Sequence, residues 1–545
     1  MNYLQKIRVL LILLVIISIS LGFKLYLIDF DSPPITEDTY GYVLRAISIS
    51  NGDYSESPRK TLGWSLFISP FISVNDSDSF LSYLNIAQYL SISISLITIF
   101  AMYMLSRRFF DEKYSLVAAS LFAFEPHLNY NSIFGLSEPL FILLIILSAY
   151  FILQRNSNFA YISFLTVGLL WWVRFNGVVT VLIISVIFFI IHKISSKSVL
   201  KYGLCILIFL VIVSPMLIQR NEQYGDPLYF SQSNTFFSGE YSALLAENTS
   251  ETEYGVSNYI EDNGILSFLD KFVLMGFYNM MVVIFKLSFP YLILLLPFGI
   301  LFSLRSFDQN YDYIKSNWIF IIISLSIFVV YFAIIPEKRL IYHILPFIII
   351  LSTITIQRFV KYGLSTFSFT TKQKNYSLIV IVALIIILSG VYTTRYDSSD
   401  NTMNQEKLQF SELLLEKFDG GILDAGDTLR FIKFTILNTD SAFKEYSTSQ
   451  HKEFFNNKSE LRNTTLHASS LDELIAVGKD HNLKFISVNQ NGINDMWYPY
   501  LSEIYLNHSE YSFLNKVLDT KELGFKKFHV KVFEIDYDKL KLSIP

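Results

Sequence analysis

Residues 9–28, VLLILLVIISISLGFKLYLI, run directly into residues 29–52, DFDSPPITEDTYGYVLRAISISNG, and the step from the first segment to the second sets the architecture. Roughly twenty consecutive apolar residues make one membrane-spanning helix, because hydrocarbon offers no partner for an unpaired backbone amide. No small-residue cleavage site follows, so the segment reads as a retained span and not as a signal peptide. Pro33 and Pro34 end it. Thr36 can then cap a second helix whose first turn holds Glu37 and Asp38, where acids suit the helix dipole. On that helix Asp38, Tyr42 and Arg45 fall at i, i+4 and i+7 and share one face.

The rest of the chain extends this pattern. Of 545 residues, 52% are hydrophobic and only 17% are charged, and the mean hydropathy is +0.41, more apolar than a water-soluble globule needs. Taken at the length a bilayer requires, the apolar runs give about eleven spans. These cover 8–28, 80–105, 114–130, 136–153, 159–174, 177–192, 202–219, 287–304, 318–335, 340–357 and 376–394. Past residue 394 the composition turns soluble, and runs such as Lys484–Val488 and Phe528–Phe533 have strand character. The expected fold class is therefore a polytopic α-helical membrane protein, residues 1–394, with a small extracytoplasmic α/β domain, residues 395–545.

Short loops assign the sidedness, since cytoplasmic loops collect Lys and Arg. Lys6/Arg8, Arg107/Arg108/Lys113, Arg155, Lys193/Lys197/Lys201, Arg305/Lys315 and Arg358/Lys361/Lys372/Lys374 form one alternating set, read as cytoplasmic. The other set holds Glu37/Asp38, Glu125/Glu138, Arg174, the segment from Arg220 to Asp270, Glu337/Lys338/Arg339 and everything after Arg395, read as outward. The N-terminus then lies in the cytoplasm and the tail outside, in the cell membrane or, for a eukaryotic chain, the endoplasmic reticulum. Sequons at Asn457, Asn463 and Asn507 agree with an external tail. The net charge of -4 offers no broad basic surface for nucleic acid. Cys205, the only cysteine, lies in an apolar run, which removes disulfides and cysteine-based metal sites.

The outward loops gather the chemistry. Asp38 at the membrane rim can take a proton from an acceptor hydroxyl, although an acidic pair also simply favours a helix start. Arg59 and Lys60 stand where a lipid phosphate would lie, or anchor the interface with Trp64. Glu138 opens a span after Ser137, either as a capping acid or as a second carboxylate able to hold hydroxyls or a divalent cation. Arg174, in Trp171-Trp-Val-Arg-Phe-Asn-Gly177, is a snorkelling residue or an anion partner. Arg339 and Tyr342 belong to a basic cluster, Pro336-Glu-Lys-Arg-Leu-Ile-Tyr-His-Ile-Leu-Pro346. Lys286 is a candidate intramembrane cation. His127 has no second imidazole at ligand spacing, so no metal ligand set is assigned.

Asp38-x3-Tyr42-x3-Ala46-x5-Gly52, Ser137-Glu138-Pro-Leu, Pro215-x4-Arg220-Asn221-x2-Tyr224-Gly225-x-Pro227 and Arg339-Leu-Ile-Tyr342 with Pro346 together resemble the GT-C superfamily, nearest its family 39 group of protein O-mannosyltransferase-like and aminoarabinose-transferase-like enzymes. The resemblance covers residues 1 to about 400. It implies an inverting glycosyltransferase that moves a hexose, mannose-like, from a polyprenyl- or dolichyl-phosphate carrier to a hydroxyl of a protein, glycan or lipid. It also implies that Asp38 is the base and that Arg59 or Lys60 grips the lipid phosphate. Counting back from Ala46 selects Asp38 and counting back from Gly52 selects Glu37, so both carboxylates stand as candidates. Tyr42, Arg174, Arg339 and Tyr342 complete the expected substrate contacts. No cofactor is assigned, and Mg or Mn between Asp38 and Glu138 stays open. A transporter or flippase of lipid-linked sugars would place charges at helix midpoints and repeat its halves, features this sequence lacks. A non-catalytic binding protein on the same scaffold is the remaining alternative.

Overall fold

The computed structural model describes residues 3–57, 60–229, 235–238, 244, 254–305, 311–396, 401–425, 428–490, 498 and 500–539. In chain order its first helices are α1 (Tyr3–Leu27), α2 (Glu37–Ser50), α3 (Gly63–Ile72), α4 (Phe80–Ser106), α5 (Glu112–Ala123), α6 (Pro126–Ser132), α7 (Glu138–Ile152), α8 (Phe159–Val173), α9 (Val178–His192) and α10 (Ser196–Tyr224). They continue with α11 (Val256–Phe268), α12 (Gly276–Leu287), α13 (Leu292–Ser303), α14 (Tyr311–Phe332), α15 (Leu345–Arg358), the single turn α16 (Leu364–Thr366) and α17 (Thr371–Tyr396). Among the described residues, eight helical stretches are long and apolar enough to cross a membrane, and Gly63–Ile72, Glu138–Ile152, Phe159–Val173 and Leu292–Ser303 are shorter apolar helices. The protein is a polytopic helical membrane protein.

Enclosure differs sharply along the bundle. In the stretch Lys338–Thr366, 89% of the apolar window is buried, against 22% for Ser196–Tyr224, so α15 is the axis and α10 lies on the rim. α15 packs against α5, α13 and α14. Lys24, near the end of α1, is buried and donates to Asn129 Oδ1 (2.6 Å) and Ser132 Oγ (2.9 Å), which ties α1 to α6.

Two spans differ from the sequence expectation. The run 114–130 is two helices, broken where Glu125 caps α6 by accepting from Leu128 N (2.6 Å), with Pro126 at the first helical position. The span expected at 287–304 is the second half of a longer path. That path starts at Val256, passes through π-helical turns at Leu269–Met275 and continues as α12. Asn279 Nδ2 donates to Phe332 O (3.0 Å), which seats α12 beside the end of α14. The helix breaks over Ser288–Tyr291, and α13 then follows α15, with Thr355 Oγ1 donating to Leu295 O (2.7 Å). Glu261, Asp262, Asp270 and Lys271 dilute the hydropathy of the first half, and so residues up to Asp270 read as an outward segment. Lys286 is exposed in the last turn of α12, as a snorkelling cation would be.

The tail is α/β, as the strand-like runs imply. Its helices are α18 (Asn401–Lys417), α19 (Leu429–Asn438), α20 (His451–Lys458), α21 (Leu471–Asp480) and α22 (Leu501–Asn507). Its strands are β1 (Gly420–Ala425), β2 (Leu461–Asn463), β3 (Leu483–Asn489), β4 (Leu514–Asp519) and β5 (Val530–Ile535). They form a five-stranded sheet in the order β2-β1-β3-β5-β4. β1 pairs in parallel with β2 and β3, while β5 runs antiparallel to β3 and β4. Glu406 on α18 accepts from the backbone N–H groups of Lys526, Lys527 and Phe528 at 2.7, 2.9 and 2.8 Å, which fixes that helix to the approach of β5.

The tail sits directly on α2. Phe434, Leu437 and Phe443 share one apolar cluster with Tyr40, Phe80 and Tyr83. Around it, Lys444 pairs with Asp78 (2.7 Å), and Asn438 Oδ1 accepts from Phe80 N (3.0 Å), capping α4.

Candidate active site

The site grows from the first turn of α2. Thr36 caps that helix by accepting from Asp38 N (3.3 Å). The face at i, i+4 and i+7 from Asp38 is laid along one partner, Lys60. Lys60 Nζ is 3.0 Å from Asp38 Oδ1 and 5.0 Å from the centre of the Tyr42 ring, and Arg45 Nη1 donates to Lys60 O (2.7 Å) and Thr61 O (3.3 Å). Gly41 makes this approach feasible, since a Cβ there would lie 2.8 Å from Lys60 Nζ. The next helix is held the same way: a Cβ on Gly63 would lie 2.5 Å from the carbonyl of Trp172. Trp64 is fully buried and donates to Gly135 O (2.9 Å), so it is a packing residue and not an interfacial belt tryptophan.

Three further segments converge on Asp38. Arg339, in a 3-10 turn (Lys338–Ile344) leading into α15, places Nη1 2.7 Å from Asp38 Oδ2 and 3.9 Å from Glu138 Oε1. Glu138 at the start of α7 is buried and takes Arg174 Nη1 at 2.6 Å. Glu337 pairs with Arg339 Nη2 at 3.1 Å. Tyr42 Oη lies 3.1 Å from Ser137 Oγ, which joins α2 to the start of α7. Tyr342 is buried one turn beyond Arg339, and its neighbour His343 packs edge-on against Phe141.

Lys60 beside it, with Arg339, holds the Asp38 carboxyl well below the usual carboxylate range and outweighs the opposing effect of burial. The side chain nevertheless keeps 35% of its exposure, so a hydroxyl can reach it. Asp38, Glu138 and Glu337 face Lys60, Arg174 and Arg339, three charges of each sign. An incoming phosphate would have to take its cations from the carboxylates.

Glu37 takes a different direction. It is half-exposed and pairs with Lys433 of α19, because neighbouring residues on a helix point about 100° apart. Arg59 lies outside the described residues. Among the described residues no three His, Cys, Asp or Glu side chains gather as a metal site. Glu125 Oε1 meets His127 Nδ1 at 3.0 Å. Each acid of the Asp38 cluster is already matched to a guanidinium or an ammonium, a donor set that does not fit Mg or Mn.

The match to known proteins is one of fold. Residues 80–218, from the start of α4 nearly to the end of α10, match the family described as dolichyl-phosphate-mannose-protein mannosyltransferase. No curated protein matches the chain. The Archaeoglobus fulgidus oligosaccharyltransferase AglB, in complex with an inhibitory peptide and a dolichol-phosphate, is similar with TM-score 0.56 and 12% identity over 90% of this chain and 70% of that one. An Archaeoglobus fulgidus oligosaccharyltransferase in complex with Zn and sulfate gives TM-score 0.54 and 13% identity over 91% and 70%. ArnT from Cupriavidus metallidurans, bound to undecaprenyl phosphate, gives TM-score 0.52 and 10% identity over 98% of each chain. The chain has the GT-C fold.

Within this GT-C fold, the segment that carries Lys60 is held by residues the sequence left without a role. Glu56 meets Arg220 Nε at 2.5 Å, with the two side chains 0% and 3% exposed. Asp53 accepts from Ser48 Oγ and Ser55 N and, across the tail contact, from Ser447 Oγ and Ser449 N. Arg220 belongs to the motif that runs from Pro215 to Pro227, so its importance had a signal. Its partner did not, because 164 residues separate them.

Proposed function

We propose that the chain transfers a mannose-like hexose from a polyprenyl-phosphate carrier to an acceptor hydroxyl, with inversion, on the extracytoplasmic face of its membrane. The observation that carries this reading is Asp38, an accessible carboxylate held between Lys60 and Arg339. Bound dolichol-phosphate in AglB and undecaprenyl phosphate in ArnT support the donor class, and the family description supports the sugar.

In this reading the lipid phosphate enters from the bilayer and takes hydrogen bonds from Lys60 and Arg339, helped by Arg174 and Arg59. Each cation drawn away lets the Asp38 carboxyl rise toward its ordinary basicity, so the base is released as the donor seats. Asp38 takes the acceptor hydroxyl proton while the oxygen attacks the anomeric carbon. The bond from that carbon to the phosphate oxygen breaks, and the electron pair leaves with the lipid phosphate, whose charge the cations already face. A single in-line displacement inverts the anomeric centre. Glu138 keeps Arg174 and Arg339 oriented, Tyr42 lies beside Lys60, and Tyr342 is buried in the turn that carries Arg339. Glu37, turned toward Lys433, is the weaker candidate for the base.

The same reading puts the N-terminus in the cytoplasm and treats residues 395–545 as an external domain that helps select a protein, glycan or lipid acceptor. Buried Cys205 is the only native thiol, so single cysteines introduced at Gly52 and at Lys197 can be labelled in intact cells. Labelling at position 52 and protection at 197 is the expected result, and the reverse overturns the sidedness. The direct test is transfer from a labelled polyprenyl-phosphate mannose in membranes. Asp38→Asn and Asp38→Ala should each lower it by about 10²- to 10⁴-fold, the span of general base catalysis, with unchanged membrane insertion. Full activity in both variants would remove Asp38 as the base.

A further inference from the structure

The cation best placed for the donor phosphate sits on a segment with little secondary structure of its own. Lys60 follows Glu56 by four residues, and Ser57 and Lys60 form an isolated antiparallel bridge. Ser57, the residue after Glu56, is thus paired directly with Lys60, which couples the place of Glu56 to that of Lys60.

Three anchors hold the residues on either side of this bridge, and the strongest comes from the far end of α10. This helix extends to Tyr224, well past the apolar run that ends at Ile218, and the extension delivers Gln219, Arg220, Gln223 and Tyr224 to the loop. Gln219 Nε2 donates to Tyr54 O, Arg220 Nε to Glu56 Oε2 (2.5 Å), Gln223 Nε2 to Glu56 O (2.9 Å) and Tyr224 Oη to Glu56 O (2.8 Å). In return, Gln223 Oε1 accepts from Glu56 N (3.1 Å). Both the backbone and the side chain of Glu56 are therefore captured by one helix end. Arg220 is itself braced, with Nη1 donating to Tyr229 O (3.3 Å) and the guanidinium 5.3 Å from the Phe175 ring centre. The second anchor is Arg45 on the Lys60 and Thr61 carbonyls. The third is Asp53 on the tail segment at Ser447 and Ser449.

An ion pair sealed this completely gains little net stability over apolar packing, because desolvating two charges is costly. What it does supply is a fixed place for whatever it holds. From this geometry we infer that Arg220, Glu56 and Tyr224 are positioning residues for Lys60: the end of α10 sets where the ammonium stands and thereby sets the affinity for the lipid-phosphate donor. The inference rests on the phosphate role proposed for Lys60. It gives the Arg220–Tyr224 pair of the sequence motif a task that involves no contact with substrate.

The test uses the full-length protein in detergent, undecaprenyl phosphate as the binding probe, and KM and kcat for the labelled polyprenyl-phosphate mannose. Tyr224→Phe keeps the packing and removes the hydroxyl that donates to Glu56 O and accepts from Gln223 Nε2 (3.0 Å), and Arg220→Lys keeps the charge while losing the planar donor geometry. Each should weaken probe binding, by about 3-fold for Tyr224→Phe and about 10-fold for Arg220→Lys, as expected for loss of a neutral hydroxyl or distortion of a charged hydrogen bond. The loss should appear in KM with kcat little changed, and size-exclusion profiles identify any variant that fails to fold. Lys60→Ala supplies the decisive background, since residues acting through one group are non-additive. In that background both substitutions should shift binding by less than about 2-fold. Tyr224→Phe and Arg220→Lys that fold and bind like the parent overturn the positioning role, as do losses that persist undiminished without Lys60. Unchanged binding in Lys60→Ala alone would instead overturn the phosphate role on which the inference stands.

Discussion

Two ion-paired carboxylates lie close together in this chain and are treated in opposite ways. Glu56 is sealed at 0% exposure against a single guanidinium, while Asp38 keeps 35% and divides its oxygens between two cations from distant segments. Burial pushes the Glu56 carboxyl up against the pull of Arg220, whereas Lys60 and Arg339 hold Asp38 down. A sealed, singly paired group has no way to change partners without unfolding its surroundings. An accessible, doubly paired group can exchange one partner at a time with solvent or ligand. Glu56 therefore has the character of a fixed joint, and Asp38 that of a reactive group kept in check.

The largest expected effect breaks the joint. Glu56→Ala leaves Arg220 buried without its counter-charge, and removing one partner of a sealed pair costs about 3–5 kcal/mol. Thermal unfolding in detergent should show a clear drop, and a melting temperature within a degree of the parent would mean the joint is not a stability element. Opening the reactive side should do the reverse. Arg339→Ala leaves Lys60 on Asp38 and Arg174 on Glu138, so the melting temperature should fall less than for Glu56→Ala. Transfer activity should fall about 10²-fold, as for loss of one preorganised donor. A variant that loses stability and keeps its activity would invert the comparison.

Acid sharpens the contrast. An unfolded Asp titrates near 3.9, and Asp38 in the folded chain titrates well below that. A depressed folded pKa gives stability that is fully present above the unfolded value and is lost as pH falls through the folded one. The stability difference between the parent and Asp38→Asn should therefore be flat from pH 7 to about 5 and shrink below about pH 4. Melting curves between pH 3 and 7 check this, and a difference that grows on acidification would contradict the cation pairing.

What could be read from sequence, and what could not, follows the range of the interactions. The spans were legible because hydrocarbon imposes a length and a composition on each, and the face shared by Asp38, Tyr42 and Arg45 was legible because helical spacing is local. The first half of the path from Val256 was obscured by four charged residues, whereas the break at Glu125 is marked in the sequence itself by Glu125-Pro126-His127, which interrupts the apolar run. Within the site, Arg339 is 301 residues from Asp38 and Arg220 is 164 from Glu56. No periodicity connects groups so far apart. The basic and acidic loops pointed to one end of the bundle, but which acid meets which base is a property of tertiary packing alone.

Glu37 and Asp38 give the finest version of the comparison, since they are adjacent and equal in charge. Helix phase turns Asp38 inward to Lys60 and Arg339 and turns Glu37 outward to Lys433 of the tail. Exposed pairs of that kind are worth about 0–1 kcal/mol, because water screens the attraction and both side chains lose freedom. Glu37→Gln and Lys433→Ala should therefore each leave the melting temperature nearly unchanged and reduce transfer by less than about 5-fold, matching that range. The tail would remain seated through the apolar contacts of Phe434, Leu437 and Phe443 and through Lys444 on Asp78. Measured with Asp38→Asn in the same membranes, the two variants separate a carboxylate that acts from one that only neighbours it. Equal losses in Glu37→Gln and Asp38→Asn would mean that helix phase does not select the base.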